Sequence, residues 1–115
     1  MSQTLDLEEL AAYLRRFSAA RDWDQFHTPK NLAMAVSGEV GELLEIFQWL
    51  TPEQSASLGS DELRHAGDEL ADITIYLVRL ADVLGIDLGR AVGNKMAANE
   101  ARYTVAASRG SARKR

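Results

Sequence analysis

Glu39, Glu42 and Glu45 recur at three-residue spacing in the stretch Gly-Glu-Val-Gly-Glu-Leu-Leu-Glu-Ile-Phe-Gln-Trp, residues 38–49. Glu69 and Asp72 repeat that spacing further along. Wound at about 100° per residue, the first stretch sets Val40, Leu43, Leu44, Phe47 and Leu50 on one helical face. Glu39, Glu42 and Trp49 fall beside that face, where a side chain can point into a groove between packed helices. A single helical acid is ordinarily solvated. Four acids flanking apolar stripes on two helices repel one another, raise their own pKa values and cost several kcal/mol each to bury. A divalent cation removes that cost, and all-oxygen ligands select Mg²⁺, with Mn²⁺ as a substitute, over zinc or copper. The metal reading therefore takes Glu39, Glu42, Glu69 and Asp72 as ligands. Glu45 stays open between a catalytic base and a solvated bystander.

A second set of polar residues interrupts an apolar arc. Leu88, Val92, Met96 and Tyr103 share one helical face, and Lys95 and Asn99 project into the middle of it. An unpaired buried charge is expensive, so Lys95 pairs with an acid of a neighbouring helix or, with Asn99 and Arg102, clamps phosphate oxygens beside a metal. Trp23, Phe26, His27, Trp49 and Tyr76 sit at a connector, a helix end and a helix flank. Core filling accounts for Phe26, whereas flat rings near chain turns can sandwich a nucleobase.

Composition narrows the classes. The 115 residues suit one domain, with 46% hydrophobic and 26% charged content. There is no Cys, which excludes disulfides, thiolate metal sites and cysteine nucleophiles, and the two His residues give no zinc-like spacing. No apolar run approaches the roughly 20 residues that span a bilayer, and no signal-peptide pattern opens the chain. A cytoplasmic location and no membrane partner are the expectations. Net charge is −4, but Arg109, Arg113, Lys114 and Arg115 place +4 in the last seven residues, leaving −8 on the rest. An acidic body argues against nucleic acid as the ligand, since phosphate backbones demand basic surfaces. Residues 109–115 read as a disordered basic tail.

No strand-like alternation occurs, while the 3.6-residue period recurs four times. Leu7, Leu10, Leu14 and Phe17 predict a helix from Leu5 to Arg21. Thr28-Pro29 is a start signal for a second helix reaching Leu50. Gly38 and Gly41 inside it each cost about 1 kcal/mol relative to Ala, which predicts close approach of a backbone or ligand there. Thr51-Pro52-Glu53-Gln54 repeats the start signal with a capping box. Ser60 is the expected cap of a third helix, Asp61 to Leu84, with a core stripe of Leu70, Ile73, Leu77, Leu80 and Leu84, and Gly85 as its left-handed stop. Asp87 caps a fourth, Leu88 to Tyr103, and frayed chain is expected beyond Thr104.

These residues bring out a resemblance to the all-α nucleoside triphosphate pyrophosphatases, the MazG-like group, and within it the dCTP pyrophosphatase branch. It is carried by Arg-Asp-Trp-Asp-Gln-Phe-His-Thr-Pro-Lys-Asn-Leu (21–32), the 38–49 stretch, Asp-Glu-Leu-Ala-Asp-Ile-Thr-Ile-Tyr-Leu-Val (68–78) and Lys-Met-Ala-Ala-Asn-Glu-Ala-Arg-Tyr (95–103), in that order. The chain has Gly38 where broader relatives often carry a further acid, and Leu14 where some carry a His. The resemblance implies an oligomeric all-α four-helix bundle occupying residues 1–108, working as a homodimer or homotetramer on a small-molecule nucleotide. It implies Mg²⁺ at Glu39, Glu42, Glu69 and Asp72, and a base pocket from Trp23, His27, Asn31, Trp49 and Tyr76. Lys95, Asn99, Arg102 and Tyr103 would clamp phosphate. The implied reaction is hydrolysis of dCTP or a modified dCTP between the α- and β-phosphates, with Glu39, Glu42 or Glu45 handling the attacking water. Alternatives are dUTP, another non-standard nucleotide or phosphoribosyl-ATP as substrate, or a non-catalytic nucleotide-binding module.

Overall fold

The computed structural model describes residues 5–115. Four principal helices follow one another: α1 (Leu7–Ala20), α2 (Pro29–Phe47), α4 (Ser60–Val83) and α5 (Leu88–Arg102). Single turns α3 (Pro52–Ser55) and α6 (Val105–Ser108) lie between and after them. Their ends obey local chemistry. Asp6 Oδ1 accepts from Glu9 N at 2.7 Å and so caps α1 instead of lying inside it. Thr28 caps α2 with Pro29 in the first turn, and Asp87 caps α5 through Arg90 N. Thr51 and Gln54 form a complete capping box, at 2.9 and 3.1 Å.

Helix α4 starts one residue earlier than its sequence suggests. Gly59 is the N-cap, and its N–H donates to Glu62 Oε1, so Ser60 is already helical. At the other end Gly85 takes φ 73°, Ile86 N donates to Ala81 O and Gly85 N to Asp82 O. Those two bonds are a Schellman stop, which needs the left-handed residue that glycine supplies.

Helix α2 packs most extensively against α4, α1 also packs on α4, and α5 makes smaller contacts with α1 and α4. Leu14, Leu32, Ala66, Val78 and Ala81 are the buried apolar residues, with Leu32 sealed most completely. The inward face of α4 is not the expected one. Leu63, Leu70, Leu77 and Leu84, spaced by sevens, are exposed, while Ala66, Glu69, Val78, Arg79 and Ala81 are buried. Ile73 and Leu80 of the expected stripe are half-buried. Helix α4 is apolar on two sides, and α1 and α2 occupy the side that carries Glu69.

The outer surface stays greasy elsewhere too. Val40 and Leu44 on α2 and Val92 and Met96 on α5 are exposed, and α5 buries no residue at all. A Cβ at Gly38 or Gly41 would meet nothing within 4 Å, so the close approach expected there does not occur within one chain. The radius of gyration is 17.4 Å, against about 13 Å for a compact domain of this length. Beyond Thr104, the chain is tied back where fraying is expected: α6 forms, Arg115 N donates to Tyr103 Oη at 3.0 Å, and the Arg115 guanidinium reaches Ala107 O.

Candidate active site

Pairing α2 with α4 brings their acids face to face. Carboxylate oxygens of Glu39, Glu69 and Asp72 lie within 4.8 Å of one another. Glu69 is buried, and its Oε1 sits 3.4 Å from His65 Nε2, one turn back on α4. Glu69 Oε2 and Glu39 Oε2 are buried with no hydrogen-bond partner among the described residues. Carboxylate oxygens held together without partners repel and are poorly solvated, so the arrangement is stable only when something cationic or a proton joins it. The Glu39 carboxyl is pushed up to about 7, first by the Glu69 carboxylate beside it, with which it can share a hydrogen bond only when protonated, then by desolvation and by Glu42 and Asp72. An all-oxygen donor set with orphaned buried lone pairs fits a hard divalent cation. Glu42 and Glu45 are exposed on α2; Glu42 stands outside the cluster but near enough to act on Glu39.

A cavity of about 190 Å³ opens directly beside these acids. It is lined by Leu14, Phe17, Ser18, Trp23, His27, Glu39, Asp72, Ile75, Tyr76 and Arg79. Glu39 and Asp72 belong to both features, so the acid cluster forms one wall of the cavity. Its volume is below the roughly 300–1,000 Å³ that encloses a whole drug-sized ligand. It can take one flat ring, with the rest of a ligand lying over the acids. Trp23 is held at the mouth by edge contacts to Phe17, centroids 5.7 Å apart, and to His27, 6.2 Å apart.

The connector that supplies Trp23 and His27 is pinned by a residue that sequence reasoning missed. Arg79, only 6% exposed, donates from Nε to His27 Nδ1 at 3.0 Å and from Nη2 to Asp24 Oδ1 at 2.9 Å. Its Nη1 reaches Asp82 Oδ2 at 3.4 Å, and Asp82 in turn takes a two-pronged bond from Arg15 at 2.6 and 3.1 Å. Arg15 thereby holds the Asp82 carboxyl below its usual range. The His27 ring is kept below its ordinary value by burial and then by the charge of Arg79. The signal for Arg79 was a charge inside the apolar run Leu77-Val78-Arg79-Leu80, the same kind of signal that drew attention to Lys95.

The family model described as MazG-like matches residues 34–114, which run from within α2 through α4 and α5 and so contain the whole acid cluster. The chain belongs to the MazG-like family. It is similar to dCTP pyrophosphatase 1 of Rattus norvegicus, 46% identical over 108 residues, which is 92% of this chain and 64% of that protein. The Homo sapiens protein of the same name is 44% identical over 110 residues, 94% of this chain and 65% of that one. The MazG-like chain thus spans just under two thirds of the length of these relatives. A solved pyrophosphatase structure from Archaeoglobus fulgidus aligns with a TM-score of 0.79 and 41% identity, covering 90% of this chain and 97% of that one.

Other sequence-selected residues of this MazG-like chain lie elsewhere. Asn31 is spent on the connector, its side chain donating to Phe26 O at 3.0 Å. Trp49 is 86% exposed beyond the end of α2 and does not line the cavity. Lys95, Asn99 and Arg102 lie on α5, which packs on α1 and α4, and none of them lines the cavity. Tyr103 Oη is engaged by Arg115. Among the described residues, no helix is long and apolar enough to cross a membrane.

Proposed function

We propose that the chain is a divalent-cation-dependent nucleoside triphosphate pyrophosphatase, converting dCTP or a modified dCTP to the monophosphate and pyrophosphate and so clearing the nucleotide pool. The observation that carries this reading is the shared wall: Glu39 and Asp72 belong at once to an acid cluster and to an aromatic-lined cavity. A base seated between Trp23, His27 and Tyr76 sets its triphosphate over the acids. The names of the relatives give the substrate class and the bond.

Glu39, Glu69 and Asp72, with Glu42 beside them, would hold Mg²⁺. When bound, the ion supplies Lewis-acid polarisation and charge neutralisation of the triphosphate. The protein residues do the rest. Glu42 or Glu45, both exposed on α2, or Glu39 itself, orients a water and accepts its proton. The water oxygen bonds to the α-phosphorus as the bond from that phosphorus to the bridging oxygen breaks, and pyrophosphate carries the electron pair away. Phosphoryl transfer asks mainly for positioning and charge stabilisation, which is what a fixed acid cluster beside a ring-sized cavity provides.

The clamp residues Lys95, Asn99 and Arg102 come from a second copy of the chain. What supports this is that α5 lies off the acid cluster in its own chain and leaves Val92 and Met96 exposed, while α4 leaves a row of four leucines uncovered. Exposed apolar area of that extent marks an interface, and a homodimer or homotetramer would cover it. A panel of dCTP, dUTP, dTTP, purine dNTPs and phosphoribosyl-ATP, each with Mg²⁺ and compared by kcat/KM, tests the substrate. The proposal expects dCTP or a 5-substituted dCTP to lead, and preference for any other member would replace it.

A further inference from the structure

Arginine is charged at every accessible pH, so each of its nitrogens can only donate. The Nε–H that Arg79 directs at His27 Nδ1, 3.0 Å away, therefore requires Nδ1 to carry a lone pair. A neutral imidazole then has its one proton on Nε2. Charge neutrality around Arg79 is settled without the imidazole, because Asp24 and Asp82 flank the same guanidinium and Arg15 completes the Asp82 pair. His27 lines the cavity beside Trp23 and Tyr76, and none of the hydrogen bonds among the described residues uses its Nε2.

We infer that Arg79 is a positioning residue that locks His27 in its Nε2–H tautomer, so that the cavity offers a pyrimidine one fixed donor. All pyrimidines accept at O2, but N3 differs: cytosine presents a lone pair there, whereas uracil and thymine present an N3–H that a donor directed at N3 repels. A site built around a fixed donor rejects the mismatched edge because a buried polar group is otherwise left unpaired. Arg79 thus acts on base choice through His27, without itself touching substrate. The lock stands on this geometry alone; its consequence for base choice rests on the proposed function, which makes the cavity the base pocket.

The two claims are tested separately. The chain has only two histidines, so long-range ¹H–¹⁵N correlation of the imidazoles, with His65→Gln for assignment, reads His27 directly. Expected near neutral pH is an unprotonated Nδ1 and a protonated Nε2, giving way to a tautomer mixture in Arg79→Met. If Arg79→Met does not fold, Arg79→Met combined with Asp24→Asn removes both the donor to Nδ1 and the carboxylate it leaves unpaired, Asp82 keeping Arg15, and gives the same mixture. A protonated Nδ1 in the wild type, or an unchanged spectrum in a folded variant, overturns the lock. The ratio of kcat/KM for dCTP over dUTP should fall about tenfold in the folded variant, the worth of one hydrogen bond. An unchanged ratio alongside a mixed tautomer overturns the role in selectivity. If the wild type turns over neither nucleotide, the proposed function fails while the spectrum still decides the lock.

Discussion

Glu39 on α2 and Glu69 on α4 each bury one carboxylate oxygen, Oε2, with no hydrogen-bond partner among the described residues, inside a cluster they share with Asp72. Two helices that pack mainly through apolar side chains have thus been made to meet at an electrostatic liability. Folding energy alone does not favour such a contact. A ligand that binds the folded state and not the unfolded one turns it into a stabilising feature.

The first prediction concerns the metal-free protein. Glu39 is raised to about 7 against an ordinary 4.5, so the folded state holds that proton more tightly than the unfolded state. Stability from this group is full below about pH 4.5 and is lost as pH rises through 7. In EDTA, the Tm of the wild type should therefore fall, relative to Glu39→Gln, between those limits. Mg²⁺ should restore the wild type at the upper end and do little for the variant. Parallel Tm–pH curves for the two proteins would count against the cluster.

Asp82 gives the opposite sign. Arg15 and Arg79 depress its folded pKa, so its contribution is present above the ordinary carboxylate range and disappears as pH drops through the depressed value. Asp82→Ala strips the buried Arg79 of one partner and should cost about 3 kcal/mol in urea unfolding at neutral pH. The difference from wild type should shrink in acid. The Arg15 share is small, because that guanidinium is largely exposed.

Leu70→Glu places a charge in the middle of the uncovered α4 row. Analytical ultracentrifugation should show the wild type as a dimer or tetramer and this variant as a monomer of near-native helix content. A wild-type monomer would remove the proposed assembly.

Lys95→Ala and Glu42→Gln should each be nearly inactive alone, by at least about 100-fold, the range for loss of a charge-stabilising group. Refolded together, they should recover part of the activity, because some mixed sites combine an intact acid cluster with an intact clamp. No recovery would place Lys95 in the same chain as the acids it serves.

How far the sequence revealed this molecule depends on the distance over which each signal acts. Helix ends were legible because Thr28-Pro29, Thr51-Pro52 and Asp87 act on backbone a few residues away. The Glu69 and Asp72 pair was legible because its spacing fixes a common helical flank. The inward face of α4 was not. Leu70 and Leu77 satisfy helical periodicity as well as Ile73 does, and period alone cannot say which of two apolar sides one chain buries and which it leaves for another. Arg79 was missed for a related reason: its buried state depends on Asp24 and His27, more than fifty residues away, and on Asp82, one turn on.

We propose that the Glu39–Glu69–Asp72 cluster drives hydrolysis between the α- and β-phosphates. The most direct test is to incubate the protein with dCTP and Mg²⁺ and separate the products by anion exchange, with Asp72→Asn alongside. Expected are dCMP and pyrophosphate in equal amounts from the wild type, and neither from the folded variant. Release of dCDP and orthophosphate, or undiminished turnover by Asp72→Asn, would contradict it.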